Sequence, residues 1–187
     1  MSATITDAYR ALNTELLRKN GGYGNGGRRQ AVAIGHFAVA LDAVTILDYG
    51  CGQGSLKDAL MGLTWWRYNG GRVYEYDPCV PEKAKRHRPK DLVVCTDVLE
   101  HVEPECFEAV LADLKRLSLK GCYVSIATRP SNKRLPDGRN AHLIVESASW
   151  WIGQFLDAGW TVLGARIGRR KHTDIERGVQ LWLRGWA

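Results

Sequence analysis

Apolar residues in this chain recur with two different periods. From residue 4 to 19, Ile5, Tyr9, Leu12, Leu16 and Leu17 return at helical spacing, which predicts a helix ended by Asn20-Gly21-Gly22. Past the glycine-rich stretch GGYGNGGRR, a second run from Ala31 to Leu41 predicts another helix. The segment TILDY at 45–49 then reads as a β-branched strand that carries an acid and opens into a glycine turn. Ser55 is expected to cap a short helix through Met61, and 72–77 is expected as the second strand. DLVVCT at 91–96 is a continuous apolar run of the kind buried on both faces of a parallel sheet.

Pro104 and Glu105 open a predicted helix whose apolar positions are Phe107, Val110, Leu111, Leu114 and Leu117. GCYVSIAT at 121–128 follows as a strand, then a helix from Ser147 to Ala158, then strands at 160–167 and 178–183. The last two are joined by the basic loop GRRKHTDIER, which has no helical period and predicts an antiparallel hairpin at one sheet edge. Strands alternating with helices predict an α/β fold, a mostly parallel sheet wrapped on both faces. The length predicts one domain, 1–187, in which 1–42 forms an N-terminal helical cap.

Composition narrows the setting. A hydrophobic share of 45% and a charged share of 25% exclude disordered and collagen-like chains. The five cysteines are odd in number and form no C-x-x-C pair, as expected of buried, reduced thiols in a cytoplasmic protein. The N-terminus lacks a signal-peptide apolar core and no stretch is long enough to span a membrane, so no membrane partner is expected. The net charge of +6 is concentrated at 83–90, 129–139 and 166–177, which favours anionic partners or solvated loops. Trp65-Trp66 and Trp150-Trp151 are expected to place one indole of each pair in the core, the alternative being a base-stacking platform.

The glycine turn carries the most specific chemistry. A dinucleotide fingerprint, G-x-G-x-x-G, would need glycine at position 55, where Ser55 stands, and an acid about 20 residues downstream. The chain has Asp48-x-Gly50-x-Gly52-x-Gly54 instead. This pattern resembles motif I of the class I S-adenosylmethionine methyltransferases. Asp77, ending VYEYDP, is similar to that family's acid after the second strand, and DLVVCTDVLEHV at 91–102 is similar to its segment after the fourth.

The resemblance implies a Rossmann-like methyltransferase sandwich that ends in an antiparallel hairpin. It also implies a cofactor site of Tyr23, Asp48, Gly50, Cys51, Gly52, Gly54, Asp77, Pro78, Thr96 and Asp97 holding S-adenosylmethionine, with S-adenosylhomocysteine as product. Asp77 would accept the ribose hydroxyls, with Glu75 as competitor. Asp48 would orient the turn and the ligand's ammonium group. Tyr23 and its glycine neighbours would form a lid. Between Asp77 and Asp91 only CVPEKAKRHRPK is available, so the family's third strand is expected to be shortened or absent and no adenine-recognising acid is assigned.

His101, His142 and Glu100 are the catalytic candidates, an imidazole being the expected general base. The set Asp97, Glu100, His101 and His142 is also similar to the metal-binding set of small-RNA 2′-O-methyltransferases. At the entrance of a helix, 97, 100 and 101 would share one face and suit Mg²⁺, Mn²⁺ or Zn²⁺. The metal-free reading is adopted, with the divalent ion as alternative. The acceptor is expected over the strand ends, at 21–29 and 129–142, where Arg129, Lys133, Arg139 and Asn140 would bind a phosphate- or carboxylate-bearing molecule.

The N/D-P-P-Y/F signature of amino-methyltransferases is missing, which disfavours methylation of nucleobases, and nucleic acid is not the favoured partner. The expected activity is therefore methyl transfer to a small or medium anionic acceptor by a monomer or homodimer. The alternatives are a metal-assisted RNA or nucleotide 2′-O-methyltransferase and a catalytically idle binding protein of the same fold.

Overall fold

The computed structural model describes residues 3–19, 26–169 and 175–185. Its elements follow in the order α1 (Asp7–Lys19), α2 (Gly26–Ala40), β1 (Thr45–Tyr49), α3 (Ser55–Met61), α4 (Thr64–Tyr68), β2 (Arg72–Tyr76), β3 (Lys90–Thr96), α5 (Phe107–Leu117), β4 (Ser118–Ala127), α6 (Ala148–Asp157), β5 (Trp160–Arg169) and β6 (Glu176–Gly185). Short 3₁₀ turns occupy Pro81–Lys83, Leu99–His101 and Pro104–Cys106.

The strands form one sheet in the order β2-β1-β3-β4-β6-β5. β2, β1, β3 and β4 run parallel, and β6 and β5 complete the sheet antiparallel. This is the Rossmann-like sandwich with its C-terminal hairpin. A 3₁₀ turn lies between β2 and β3 with no strand, which leaves β2 as the sheet's border.

Two apolar layers sandwich the sheet. On one face Leu47, Val93, Cys95, Val124 and Leu181 meet α5 and α6 through Phe107, Leu114, Trp151 and Phe155. On the other, Ile46, Leu92, Val94 and Tyr123 meet α2, α3 and α4 through Ile34, Phe37, Leu56, Leu60 and Trp66. Full burial of a side chain of this size contributes roughly 1.5–3 kcal/mol. Trp66 and Trp151 are enclosed while Trp65 and Trp150 are half-buried, as the paired pattern predicts. All five cysteines are free and buried.

A third, smaller cluster joins Tyr9 and Leu16 of α1 to Leu135 and Ala141, so α1 lies against the loop after β4. Thr6 strengthens this docking: its amide and hydroxyl donate to the Glu103 carboxylate at 2.9 and 2.6 Å.

Several local expectations are corrected. Gly54, at φ 88°, is the N-cap of α3 and Ser55 is its first residue, because the turn leaves the strand through a left-handed step that a serine resists. α2 begins at Gly26, so 26–29 belong to a helix and not to a loop. The two glycines let it pack closely: a Cβ on Gly27 would stand 2.8 Å from Cβ of Leu56. The hairpin strands run longer than expected, and α4 was not foreseen in TWWRY. Among the described residues, no helix is long and apolar enough to cross a membrane.

Candidate active site

The carboxyl ends of β1, β2, β3 and β4 open into a cleft of about 850 Å³, within the range of small-molecule sites. Its near end is the glycine turn. Gly50, Gly52 and Gly54 all take left-handed φ values of 78°, 51° and 88°, and a Cβ on Gly50 would meet Val98 at 2.4 Å. The Gly50 and Cys51 amides donate to the Tyr76 carbonyl at 2.7 and 3.1 Å, tying the turn to the end of β2. Asp77 completes this tie: its two oxygens accept the Gly52 and Cys79 amides at 2.9 and 2.8 Å. Each oxygen keeps a further lone pair, and Asp77 lines the cleft.

Glu75 is engaged elsewhere. It pairs with Lys83 at 3.0 Å and Lys57 at 3.2 Å and does not line the cleft. Asp48 does line it, buried at 3% exposure. Burial, reinforced by the Glu75 and Asp77 carboxylates and opposed by Lys83, pushes its pKa up to about 7. No hydrogen bond to its carboxylate is found among the described residues, so it is a buried acid with no direct partner there.

Asp97 follows β3 with φ 55°, a left-handed conformation rarely held by a residue with a side chain. The strain is over-determined by contacts. Its amide donates to the Ser125 carbonyl at 2.8 Å and its carboxylate accepts the Ser125 hydroxyl at 3.0 Å. Gln30 of α2 extends the chain, donating to Ser125 Oγ at 2.8 Å and accepting from Tyr123 at 2.5 Å and Gln180 at 3.1 Å. Sequence reasoning missed Gln30, since a polar residue inside a helical run carries no signal of what it will face.

Beyond Asp97 the chain makes a 3₁₀ turn, not the start of an α-helix, which overturns the expectation that 97, 100 and 101 share one helical face. Glu100, His101 and His142 come together, with potential ligand atoms all within 4.8 Å of one another, and Asp97 is not in that group. Glu100 is fully buried; its Oε1 accepts the Ala127 amide at 2.8 Å while Oε2 has no partner. Burial, then the nearby Asp97, pushes its pKa up to about 8.

His101 Nδ1 lies 2.6 Å from the Ala141 carbonyl and His142 Nδ1 lies 2.6 Å from the Arg129 carbonyl. Carbonyls only accept, so both Nδ1 atoms carry the proton and each neutral ring holds its lone pair on Nε2. Burial and the neighbouring His142 lower His101 to about 4; burial also lowers His142, against its bond to the Arg129 carbonyl.

Among the other expected residues, Cys51, Pro78, Thr96, Arg129 and Lys133 line the cleft. Gly54, Arg139 and Asn140 do not. Asn140 instead staples its own loop, bonding Ser131 at 3.0 and 2.9 Å and the His142 amide at 2.9 Å, so its polar atoms are consumed in shaping the loop. Arg139 pairs with Asp137 at 2.8 Å and reaches over the Tyr9 ring at 5.9 Å. Tyr23 and its glycine neighbours lie outside the described residues.

Arg29, at the end of the 21–29 segment expected to face the acceptor, does line the cleft, whereas nothing in the sequence signals Glu103, buried in a plain HVEP context, or that the hairpin residues Arg166 and Arg177 line it too.

A family model described as a methyltransferase domain matches residues 7–163. No curated protein matches the chain. Among solved structures, 1,6-didemethyltoxoflavin-N1-methyltransferase of Burkholderia thailandensis, with bound 1,6-didemethyltoxoflavin and S-adenosylhomocysteine, aligns over 100% of this chain and 92% of its own. The TM-score is 0.66 at 15% identity. Magnesium protoporphyrin IX methyltransferase of Synechocystis PCC 6803, with bound S-adenosylhomocysteine, aligns over 86% and 84%, with a TM-score of 0.59 at 18% identity. The [4+2]-cyclase SpnF aligns over 84% and 80%, with a TM-score of 0.51 at 13% identity. At these identities the likeness is one of fold, and the cyclase illustrates that the fold alone does not fix the chemistry.

Proposed function

The chain belongs to the class I methyltransferases, and from that premise we propose that it moves a methyl group from S-adenosylmethionine to an oxygen or nitrogen of a small anionic acceptor. The observation that carries this reading is the pair of acids around the glycine turn. Asp48 is a buried carboxylate without a hydrogen-bonding partner among the described residues, suited to an ammonium group, and Asp77 is a fixed double acceptor suited to a diol. Gly50 and Gly52 line the cleft with Asp48 and Asp77. When bound, S-adenosylmethionine supplies an electrophilic methyl group on a sulfonium.

The chain's own residues do the rest. The glycine turn and Asp77 fix position, which is the main contribution to a direct displacement. His142, with Nδ1 held by the Arg129 carbonyl, presents Nε2 as the atom that takes the acceptor's proton. His101, held the same way by Ala141, stands edge to face beside it. Arg129 and Lys133 line the same space and favour an anionic acceptor. Five free, buried thiols are in keeping with a reducing cytoplasm.

Glu100 Oε2, buried and without a partner, favours a second reading in which the acceptor is activated by a divalent ion. Glu100, His101 and His142 would hold it; both imidazoles already have the Nδ1–H···O=C support usual for metal-bound histidine. Such an ion would lower the pKa of an acceptor hydroxyl. The primary reading is tested by titrating S-adenosylhomocysteine into the folded protein by calorimetry. One site per chain is expected, and a flat titration overturns the proposal.

A further inference from the structure

Across the sheet, Thr96, Ser125, Gln180 and Arg166 stand in one register row of β3, β4, β6 and β5. Residues in register share a face, and so do residues two apart on a strand. The next row on this face is therefore Ala127, Gly178 and Gly168. Two glycines and an alanine form a floor with almost no side chains, beside a row that ends in an arginine. Arg177 precedes Gly178, Arg129 follows Ala127 by two residues, and Arg29 precedes Gln30, whose side chain reaches the same face through Ser125 and Gln180. Arg29, Arg129, Arg166, Arg177, Gly168 and Gly178 all line the cleft.

These cations are poorly balanced. Among the described residues, Arg29, Arg166 and Arg177 have no ion pair, and the Arg129 side chain has only a weak bond to the Pro130 carbonyl at 3.4 Å. Of the acids that line the cleft, Asp48 and Asp77 belong to the glycine turn, Glu103 is bound by Thr6, and Glu100 lies sealed beneath. Asp97 alone offsets the four guanidiniums.

We propose that this basin is a subsite for a phosphate group of the methyl acceptor, a phosphomonoester or diphosphate on a small molecule. The proposal rests on the methyltransferase reading and narrows its acceptor. A carboxylate brings one charge and two oxygens, whereas a terminal phosphate brings up to two charges and three oxygens, which several guanidinium forks can share. A floor of glycines lets a tetrahedral group sit close to the sheet while the arginines close around it. His142, on the loop that begins at Arg129, lines the same cleft with its Nδ1 held by the Arg129 carbonyl.

The test titrates sodium pyrophosphate into protein already saturated with S-adenosylhomocysteine, so that the amino-acid carboxylate of that ligand occupies its own place. One pyrophosphate site is expected in the wild type. Arg166→Gln/Arg177→Gln, two exposed positions, should weaken it at least tenfold, roughly 1.4 kcal/mol, with S-adenosylhomocysteine affinity unchanged. Gly168→Leu, whose Cβ would find only the Gly178 carbonyl at 3.7 Å, should fill the floor and abolish the site without a change of charge.

Absence of pyrophosphate binding, or equal affinity in both variants, overturns the subsite. Arginine-dependent binding of a single-stranded oligonucleotide without pyrophosphate binding overturns it in favour of a polymer. Failure of the methyltransferase reading shows separately, in the saturation step with S-adenosylhomocysteine.

Discussion

The rings of His101 and His142 stand at 89° to each other with centroids 4.7 Å apart, and each turns the same nitrogen toward a backbone carbonyl. One tautomer is thereby imposed on both residues, and a ring nitrogen of each comes within 4.8 Å of the buried Glu100 carboxyl. His142→Ala should lower kcat/KM by roughly 10²–10⁴-fold, the usual contribution of a positioned general base. Steady-state kinetics check the loss, and calorimetry should show the affinity for S-adenosylhomocysteine unaltered.

The same three residues bear on metal content. Protein dialysed against chelator and reloaded with Mn²⁺ or Zn²⁺ should hold about one ion per chain if Glu100, His101 and His142 act as a three-ligand site. His101→Ala and His142→Ala should each weaken it at least about tenfold, since a missing ligand costs no less than a missing supporting contact. Elemental analysis and the shift of melting temperature with added metal give the readouts.

Asp48 makes cofactor affinity depend on pH. Its pKa is raised to about 7, so at lower pH the carboxyl is neutral and offers nothing to an ammonium group. Affinity for S-adenosylhomocysteine should climb roughly tenfold per pH unit below 7 and level off above it. Asp48→Asn should flatten the profile and weaken binding at pH 8 by roughly 10–100-fold, the value of a charged hydrogen bond.

Glu100 should set a slope in the stability of the metal-free protein. An acid held at about 8, against an ordinary 4.5, gives stability that is complete below the ordinary value and is lost as pH rises through the higher one. Melting temperature should fall between about pH 6.5 and 8, above the range in which His101 titrates, and level off beyond it. Glu100→Gln should show a shallower fall over the same interval.

Glu103 holds down the N-terminal segment through Thr6. Glu103→Ala should weaken that docking by about 1–3 kcal/mol, because two donors and a charged acceptor lose their match. Hydrogen exchange should quicken in α1 while the strands keep their protection.

Much of the sheet was legible in the sequence because its central strands are buried on both faces and therefore read as unbroken apolar runs, as in DLVVCT. The glycine turn was legible for a related reason: three left-handed positions admit few residues other than glycine. What could not be read was set by contacts between distant segments. Asp97 turns toward Ser125 and away from a helical face, Asn140 is consumed by Ser131, and Arg166 and Arg177 reach the cleft only because β6 inserts between β4 and β5. None of these leaves a periodicity in the chain.

With no strand beyond it, β2 meets solvent along its outer side, where unpaired main-chain groups invite another polypeptide to join the sheet. The short segment that replaces the strand shields this border: His87 donates to the Glu75 carbonyl at 2.9 Å, and the Lys90 ammonium lies 4.4 Å over the Tyr74 ring. An imidazole and a lysine thus stand at this border, where the backbone of a neighbouring strand would otherwise lie, and a basic side chain there is one way in which sheets discourage edge-to-edge pairing.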